Sequence, residues 1–226
     1  MKSLLMVALT CGVATGTLAG DPIIWDNYPS GTGWLLISSQ LDAAWPFDSQ
    51  VGDDFLFEAT GEPWAVTGVQ WSGGFWGGME PDPGQPFNIF FYADNGTGSA
   101  PTGGPEDPSD TALAAYWGLY PTETSIGGWN YEYELDLPSP FMAENNLKYW
   151  VAIQSVNFAH PMWGILESLD QQLAEAVLGF PLLEIPYWTD IEDVEDVAFR
   201  LTGYQVPEPA SLSLLAVSAL GALRRR

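Results

Sequence analysis

Carboxylates and tryptophans are the side chains through which this sequence could do chemistry. Its 226 residues include 29 Asp and Glu, 6 Lys and Arg, one histidine and 11 tryptophans. The histidine, His160, stands between Ala159 and Pro161, and no G-x-S-x-G motif marks a serine that it could activate. The one cysteine, Cys11, lies close to the N terminus. Ser–His and Cys–His catalysis and thiolate metal sites are therefore not indicated.

Paired carboxylates could make a glycoside hydrolase, because these enzymes use two acidic residues that flank the scissile bond. The alternation of acidic and apolar residues from Tyr131 to Leu137 argues against this role. Successive strand residues point to opposite faces, so the acids there would form one solvated face. We therefore expect no catalytic residues and keep the hydrolase as the alternative. The acidic candidates for it are Glu132, Glu134, Asp136, Glu144 and Glu167.

Several clusters of acidic residues suggest calcium, a hard cation that takes oxygen ligands. None of them has the spacing of an EF-hand loop. Asp53 and Asp54 are the first candidates for metal ligands, because they adjoin a predicted strand that could hold them rigidly. The other clusters are Glu106-Asp107 with Asp110, and residues 190–196. Solubility alone would also explain such acidity, so the sequence suggests calcium without establishing any cofactor.

The tryptophans indicate a second kind of site. An exposed indole can stack on the apolar face of a sugar ring, and the glycine-rich stretch at residues 71–78 would let a ligand approach the backbone closely. Trp71 and Trp76 are therefore the candidate glycan-binding residues. The competing interpretation is that they pack in the core, where aromatic residues contribute much of the buried area.

The charge of the chain limits its partners. Between residues 20 and 205 there are 28 acidic residues, and only Lys148 and Arg200 are basic. A surface of formal charge −26 repels the phosphate backbone, so nucleic acid is excluded as a partner. Cations and cationic molecules remain compatible with it.

The elements that must position these residues are short strands. Apolar and polar residues alternate in runs that are rich in β-branched and aromatic side chains, with Gly, Pro, Asn and Asp clusters between them. One segment, from Ser168 to Gly179, has a capping box and predicts a short helix. The pattern favours an all-β fold, an antiparallel β-sandwich of jelly-roll type. The predicted strands are 54–58, 65–71, 86–92, 147–156 and 197–201.

The N terminus has the organisation of a signal peptide. Lys2 precedes the apolar run Leu4 to Ala14, and Thr17-Leu18-Ala19 places small residues at the positions that a signal peptidase requires. We expect cleavage after Ala19. The domain boundaries that follow are a signal peptide at 1–19, a β-sandwich at 20–205 and a C-terminal tail at 206–226.

The C-terminal tail has three parts in a fixed order. Pro207-Glu208-Pro209 is followed by an apolar stretch at residues 212–223 and by Arg224, Arg225 and Arg226. The apolar stretch is short for a permanent membrane span, and the arginines would stay on the cytoplasmic side.

This order resembles the PEP-CTERM sorting signal. The resemblance implies that an exosortase-type enzyme recognises Pro207-Glu208-Pro209, while the apolar helix inserts transiently in the inner membrane and the arginines stop its transfer.

The resemblance also gives the expected destination. Proteins with such tails are exported and reach the cell surface or the extracellular matrix of bacteria that make exopolysaccharide. Residues 20–205 resemble the β-rich domains that these proteins carry, as in Ile89-Phe90-Phe91-Tyr92 and Tyr149-Trp150-Val151. We expect a non-enzymatic sandwich that binds or structures exopolysaccharide. The alternatives are the glycan-active hydrolase and a purely structural matrix protein without a specific ligand.

Overall fold

The computed structural model describes residues 20–28, 36–42, 48–58, 61–76, 84–105, 108–157, 162–168, 170–180, 185–191, 194 and 196–207. In this part of the chain, two sheets pack face to face, and one short helix, α1, spans Pro108–Thr111. The strands are β1 Ile23–Asp26, β2 Leu36–Ser38, β3 Gln40–Asp42, β4 Gln50–Leu56, β5 Trp64–Phe75, β6 Phe87–Ala93, β7 Ala114–Leu119, β8 Thr122–Gly127, β9 Asn130–Ala143, β10 Lys148–Asn157, β11 Trp163–Ser168, β12 Val177–Phe180, β13 Ile185–Asp190, β14 Asp196–Val197 and β15 Phe199–Gln205.

The first sheet is built around the long strand β5. It runs β1-β15-β5-β11-β14, and β9 pairs with β5 and carries β8 at the outer edge. The second sheet runs β13-β12-β4-β10-β6-β7. The described pairings are antiparallel except that of β3 with β10. The predicted all-β sandwich is thus confirmed.

The core lies between the two sheets and is rich in aromatic rings. Phe91 of the second sheet stacks on Phe141 of the first, with ring centroids 4.4 Å apart. Phe55 and Tyr149 stack beside them with centroids 5.7 Å apart. The period-two alternation explains this packing, because every second residue of a strand faces the opposite sheet.

A second apolar cluster covers the outer face of the second sheet. Phe90, Tyr92, Trp150 and Trp188 are buried there against short side chains such as Ala174. Both faces of that sheet are therefore covered, whereas the outer face of the first sheet carries the polar residues described below.

The five predicted strands lie within β4, β5, β6, β10 and β14–β15, apart from residues at their ends. The predicted helix from Ser168 to Gly179 is wrong. Ser168 ends β11, Val177 begins β12, and Leu173 between them has a left-handed backbone with φ of 70°.

The physical reason is that buried carboxylates from other strands take the backbone donors of this loop. Gln172 N donates to Asp196 Oδ2 at 2.5 Å, and Ala174 N donates to Asp54 Oδ2 at 3.1 Å. These long-range bonds replace the local i to i−4 ladder that a helix would need.

Candidate functional site

A row of polar side chains crosses the outer face of the first sheet. The strand register places one residue from each of five neighbouring strands directly opposite the next. Side chains opposite one another on the same face lie about 5 Å apart at Cβ, so the row is continuous. In order across the sheet it consists of Asp26, Arg200, Gln70, Glu134 and Thr122.

A second row lies two residues further along the strands. Ser72, Glu132 and Thr124 are in register on β5, β9 and β8. Tyr28, which follows the end of β1, reaches over this row and donates its hydroxyl to Glu132 Oε1 at 3.1 Å. The same hydroxyl is hydrogen-bonded to the Ser72 hydroxyl.

Tyr28 and most residues of the two rows line an open cleft of about 110 Å³. This volume is below the roughly 300–1,000 Å³ of pockets that enclose a small molecule, so a ligand would be only partly covered. The lining residues are Tyr28, Gln70, Thr122, Thr124, Glu132, Tyr133, Glu134 and Arg200.

The groups in the cleft are tied to one another by polar contacts. Gln70 Nε2 donates to Glu134 Oε1 at 3.2 Å. Arg200 Nε donates to Asp26 Oδ1 at 2.7 Å, and its guanidinium lies 4.2 Å from the centroid of the Tyr28 ring. Burial raises the pKa of Tyr28 to about 12, which makes ionisation of its hydroxyl still less favourable than in a free tyrosine. The cleft thus offers hydroxyl, amide, carboxylate and guanidinium groups side by side.

The predicted glycan-binding tryptophans do not form this site. Trp71 is 0% exposed and stacks on Tyr133 inside the core, with centroids 5.3 Å apart. The prediction that Trp71 presents a face to a sugar is therefore corrected, because its position on β5 points inward. Trp76 is half-buried just after β5, and its indole packs over Gly164.

The two candidate metal ligands point to opposite faces of β4. Asp53 faces the core, where Oδ2 accepts from Asn27 Nδ2 at 3.1 Å and from Val197 N at 2.9 Å. Asp54 faces the outer side, where Oδ2 accepts from Lys148 Nζ and from Ala174 N. One ion cannot take both carboxylates as ligands in this arrangement.

The described part of the chain contains no other arrangement of side chains that could coordinate a metal ion. No group of three or more His, Cys, Asp or Glu side chains there is placed to hold an ion. The cluster at residues 190–196 and that of Asp110 with Glu106 and Asp107 extend outside the described residues, as does His160. Calcium binding stays a prediction.

The predicted solvated face of β9 is confirmed. Glu132, Glu134 and Asp136 are exposed, and the apolar residues between them are buried. Glu144 lies in the turn after β9, and Glu167 is half-buried on β11. Of the five candidate acids, the structure brings Glu132 and Glu134 together in the cleft.

Sequence reasoning missed most of the cleft. Tyr28, Gln70 and Arg200 come from segments far apart in the chain, and only the strand register brings them beside β9. The alternation on β9 identified the face that carries the site. Nothing local marks the residues that stand opposite it.

The last described strand ends just before the residue at which the C-terminal tail is predicted to begin. β15 ends at Gln205, Val206 N donates to Pro63 O at 2.9 Å, and Pro207 is exposed. The described part of the chain is thus a β-sandwich with a polar outer face on its first sheet. Among the described residues, no helix is long and apolar enough to cross a membrane.

Residues 205–226 match the family described as the PEP-CTERM protein-sorting motif, consistent with a PEP-CTERM domain-containing protein. The motif implies processing by an exosortase-type enzyme, with export to the surface or the extracellular space. No curated protein and no solved structure matches the chain. Ala19, Glu208, Pro209 and Arg224 to Arg226 lie outside the described residues, so the signal cleavage, the stop role of the arginines and the domain boundaries stay predictions.

Proposed function

We propose that the sandwich binds extracellular polysaccharide without cleaving it, through the cleft on the outer face of the first sheet. The sorting motif supports the destination at which such a ligand is found. After removal of the tail, the protein would act as a binding component of the surface or the surrounding matrix.

The observation that carries this proposal is the pair of polar rows in register. Sugars present closely spaced hydroxyl groups, each a donor and an acceptor. Gln70, Glu132 and Glu134 offer planar groups that pair with such hydroxyls, and the threonines of β8 extend the row. The shallow shape leaves a polymer free to continue beyond both ends of the cleft.

The placement of the carboxylates favours binding over hydrolysis. Glu132 and Glu134 are successive outward-facing residues of one strand, so their Cα atoms are about 7 Å apart and their side chains project from the same face. A glycosidase needs two carboxyl groups on opposite sides of the bond that breaks. Each of these glutamates instead accepts a hydrogen bond from a neighbour in the cleft, Tyr28 or Gln70.

Affinity electrophoresis of the purified chain through gels that contain different bacterial and algal polysaccharides tests the proposal. We expect retardation by at least one glycan and its loss in the double variant Tyr28→Phe with Gln70→Ala. Tyr187→Ala is the matched control, because Tyr187 is 61% exposed on the other sheet.

The other results of this experiment would favour different functions or a different binding site. Retardation that survives the double variant would place binding outside the cleft. No retardation by any glycan would favour a structural matrix protein. Release of new reducing ends from the glycan would favour the hydrolase.

A further inference from the structure

We infer that the polysaccharide recognised by the cleft carries free amino groups, as a polymer of de-N-acetylated hexosamine does. This inference rests on the proposed function and names the chemical class of the ligand for the same site.

The side chains that line the cleft carry more negative than positive charge. Among the described residues, Arg200 is the one basic side chain that lines it, and its Nε lies 2.7 Å from Asp26 Oδ1 in an ion pair. Lys148, the other basic residue between 20 and 205, lies on the second sheet and pairs with Asp54. Glu132 and Glu134 are therefore left without a cationic partner in the described cleft.

The neighbours of these two glutamates are neutral donors. Tyr28 donates to Glu132 at 3.1 Å and Gln70 donates to Glu134 at 3.2 Å. A neutral donor gives a carboxylate a hydrogen bond, whereas an ammonium group adds the attraction between opposite charges. A ligand with its own ammonium group would place a positive charge beside the carboxylates of Glu132 and Glu134.

The chemistry of sugars then selects among ligand classes. A free amino group on a hexose is charged near neutral pH, has three donors and stands next to hydroxyls that can reach Gln70 or Thr122. Acetylation removes this charge, and a uronic acid adds a charge of the same sign as the cleft. The formal charge of −26 on residues 20–205 also draws a cationic polymer toward the surface.

The test must distinguish binding at the cleft from non-specific electrostatic attraction, because a polycation would bind any protein of this charge. Isothermal titration of the full chain therefore uses a glucosamine trisaccharide and its N-acetylated counterpart at moderate salt. We expect the amino trisaccharide to bind at least tenfold more tightly. Glu134→Gln should remove most of that preference, because it keeps the oxygen that Gln70 bonds and deletes the charge.

Asp136→Asn is the matched control. It changes the net charge equally on the same face of β9, and Asp136 does not line the cleft. An equal loss of affinity in both variants would overturn the inference, as would equal affinity for the two trisaccharides. Binding of both with no preference would leave the proposed function intact, whereas no glycan binding in any assay would contradict the proposed function itself. Binding of an anionic glycan that requires calcium would also overturn the inference.

Discussion

Asp53 and Asp196 approach each other in the core and share one amide group. Asn27 Nδ2 donates to an oxygen of each carboxylate at 3.1 Å, and both acids are 0% exposed. Burial, reinforced by the charge of Asp196, raises the pKa of Asp53 well above its usual range. The folded protein therefore holds a proton there that the unfolded chain releases at lower pH.

This arrangement predicts that mild acid stabilises the fold. The folded state binds more protons than the unfolded state above the unfolded pKa of about 4, so the free energy of unfolding should rise as the pH falls from 7 toward 5. Asp196→Asn removes one buried charge and should make that dependence flatter. Urea unfolding followed by tryptophan fluorescence across this pH range measures it. Asp136→Asn, an exposed control, should keep the slope of the parent, and an unchanged slope in Asp196→Asn would contradict the assignment.

Lys148 and Asp54 provide a second prediction at this scale. Asp54 is 0% exposed, and burial raises its pKa to about 6 in spite of Lys148. Lys148→Gln leaves a buried carboxylate without its cation, and breaking such a pair costs about 3 kcal/mol. The loss should be largest above pH 7 and smaller at pH 5, where Asp54 takes up a proton.

The comparison for Lys148→Gln is Arg200→Gln. The Arg200–Asp26 pair is 28% and 44% exposed, and a surface pair contributes less than about 1 kcal/mol. Chemical denaturation at the two pH values measures both variants. A cost for Lys148→Gln that did not change with pH would mean that packing, and not charge, explains it.

At the scale of elements, β5 and β11 meet through glycines. A Cβ atom at Gly73 of β5 would overlap the ring of Trp163 on β11 and lie 2.8 Å from Gly164 O. Gly52 on β4 differs, because a Cβ atom there would meet Trp188 at an ordinary 3.6 Å. Gly73 thus makes room for an indole of the neighbouring strand, and Gly74 leaves room for the Asn130 side chain, so close packing explains these two glycines without a ligand.

The two glycines give a matched pair of variants. Gly73→Ala should lower the free energy of unfolding by about 1–3 kcal/mol through overpacking. Gly52→Ala should leave it unchanged or raise it by up to about 1 kcal/mol, because alanine loses less conformational freedom in a strand. Thermal melts of both variants measure this difference, and equal effects would argue against close packing of Gly73 on Trp163.

How far the sequence predicts these elements depends on the range of the interactions. Strands and their faces follow from alternation within a few residues, as on β9. The helix expected at 168–179 fails because Asp54 and Asp196, distant in sequence, take the amide groups of that loop. The cleft depends on the register of Arg200, Gln70 and Glu134, which no local pattern encodes.

At the scale of the molecule, excess negative charge should make stability depend on salt. Acidic side chains repel one another more strongly in the compact state than in the expanded chain. Raising NaCl from about 10 mM to about 1 M shortens the Debye length from about 30 Å to about 3 Å and should raise the melting temperature. If millimolar calcium raised it much more than NaCl of equal ionic strength, a specific calcium site would be indicated. A fall in melting temperature with NaCl would contradict the dominance of repulsion.

The junction between the sandwich and the tail gives the last prediction. The matched motif starts at Gln205, which is still the final residue of β15, and Val206 is held by its bond to Pro63 O. An enzyme that binds Pro207-Glu208-Pro209 as an extended segment must approach the folded end of the sheet closely. We expect that a flexible Gly-Ser linker inserted between Val206 and Pro207 speeds processing, because it moves the motif away from the sheet. Replacement of the three motif residues by alanine should abolish processing, which gel mobility of the exported protein would show. Unchanged processing with the linker would mean that the enzyme accepts the motif against the folded end of the sheet, and unchanged processing with the alanines would remove the motif from the sorting route.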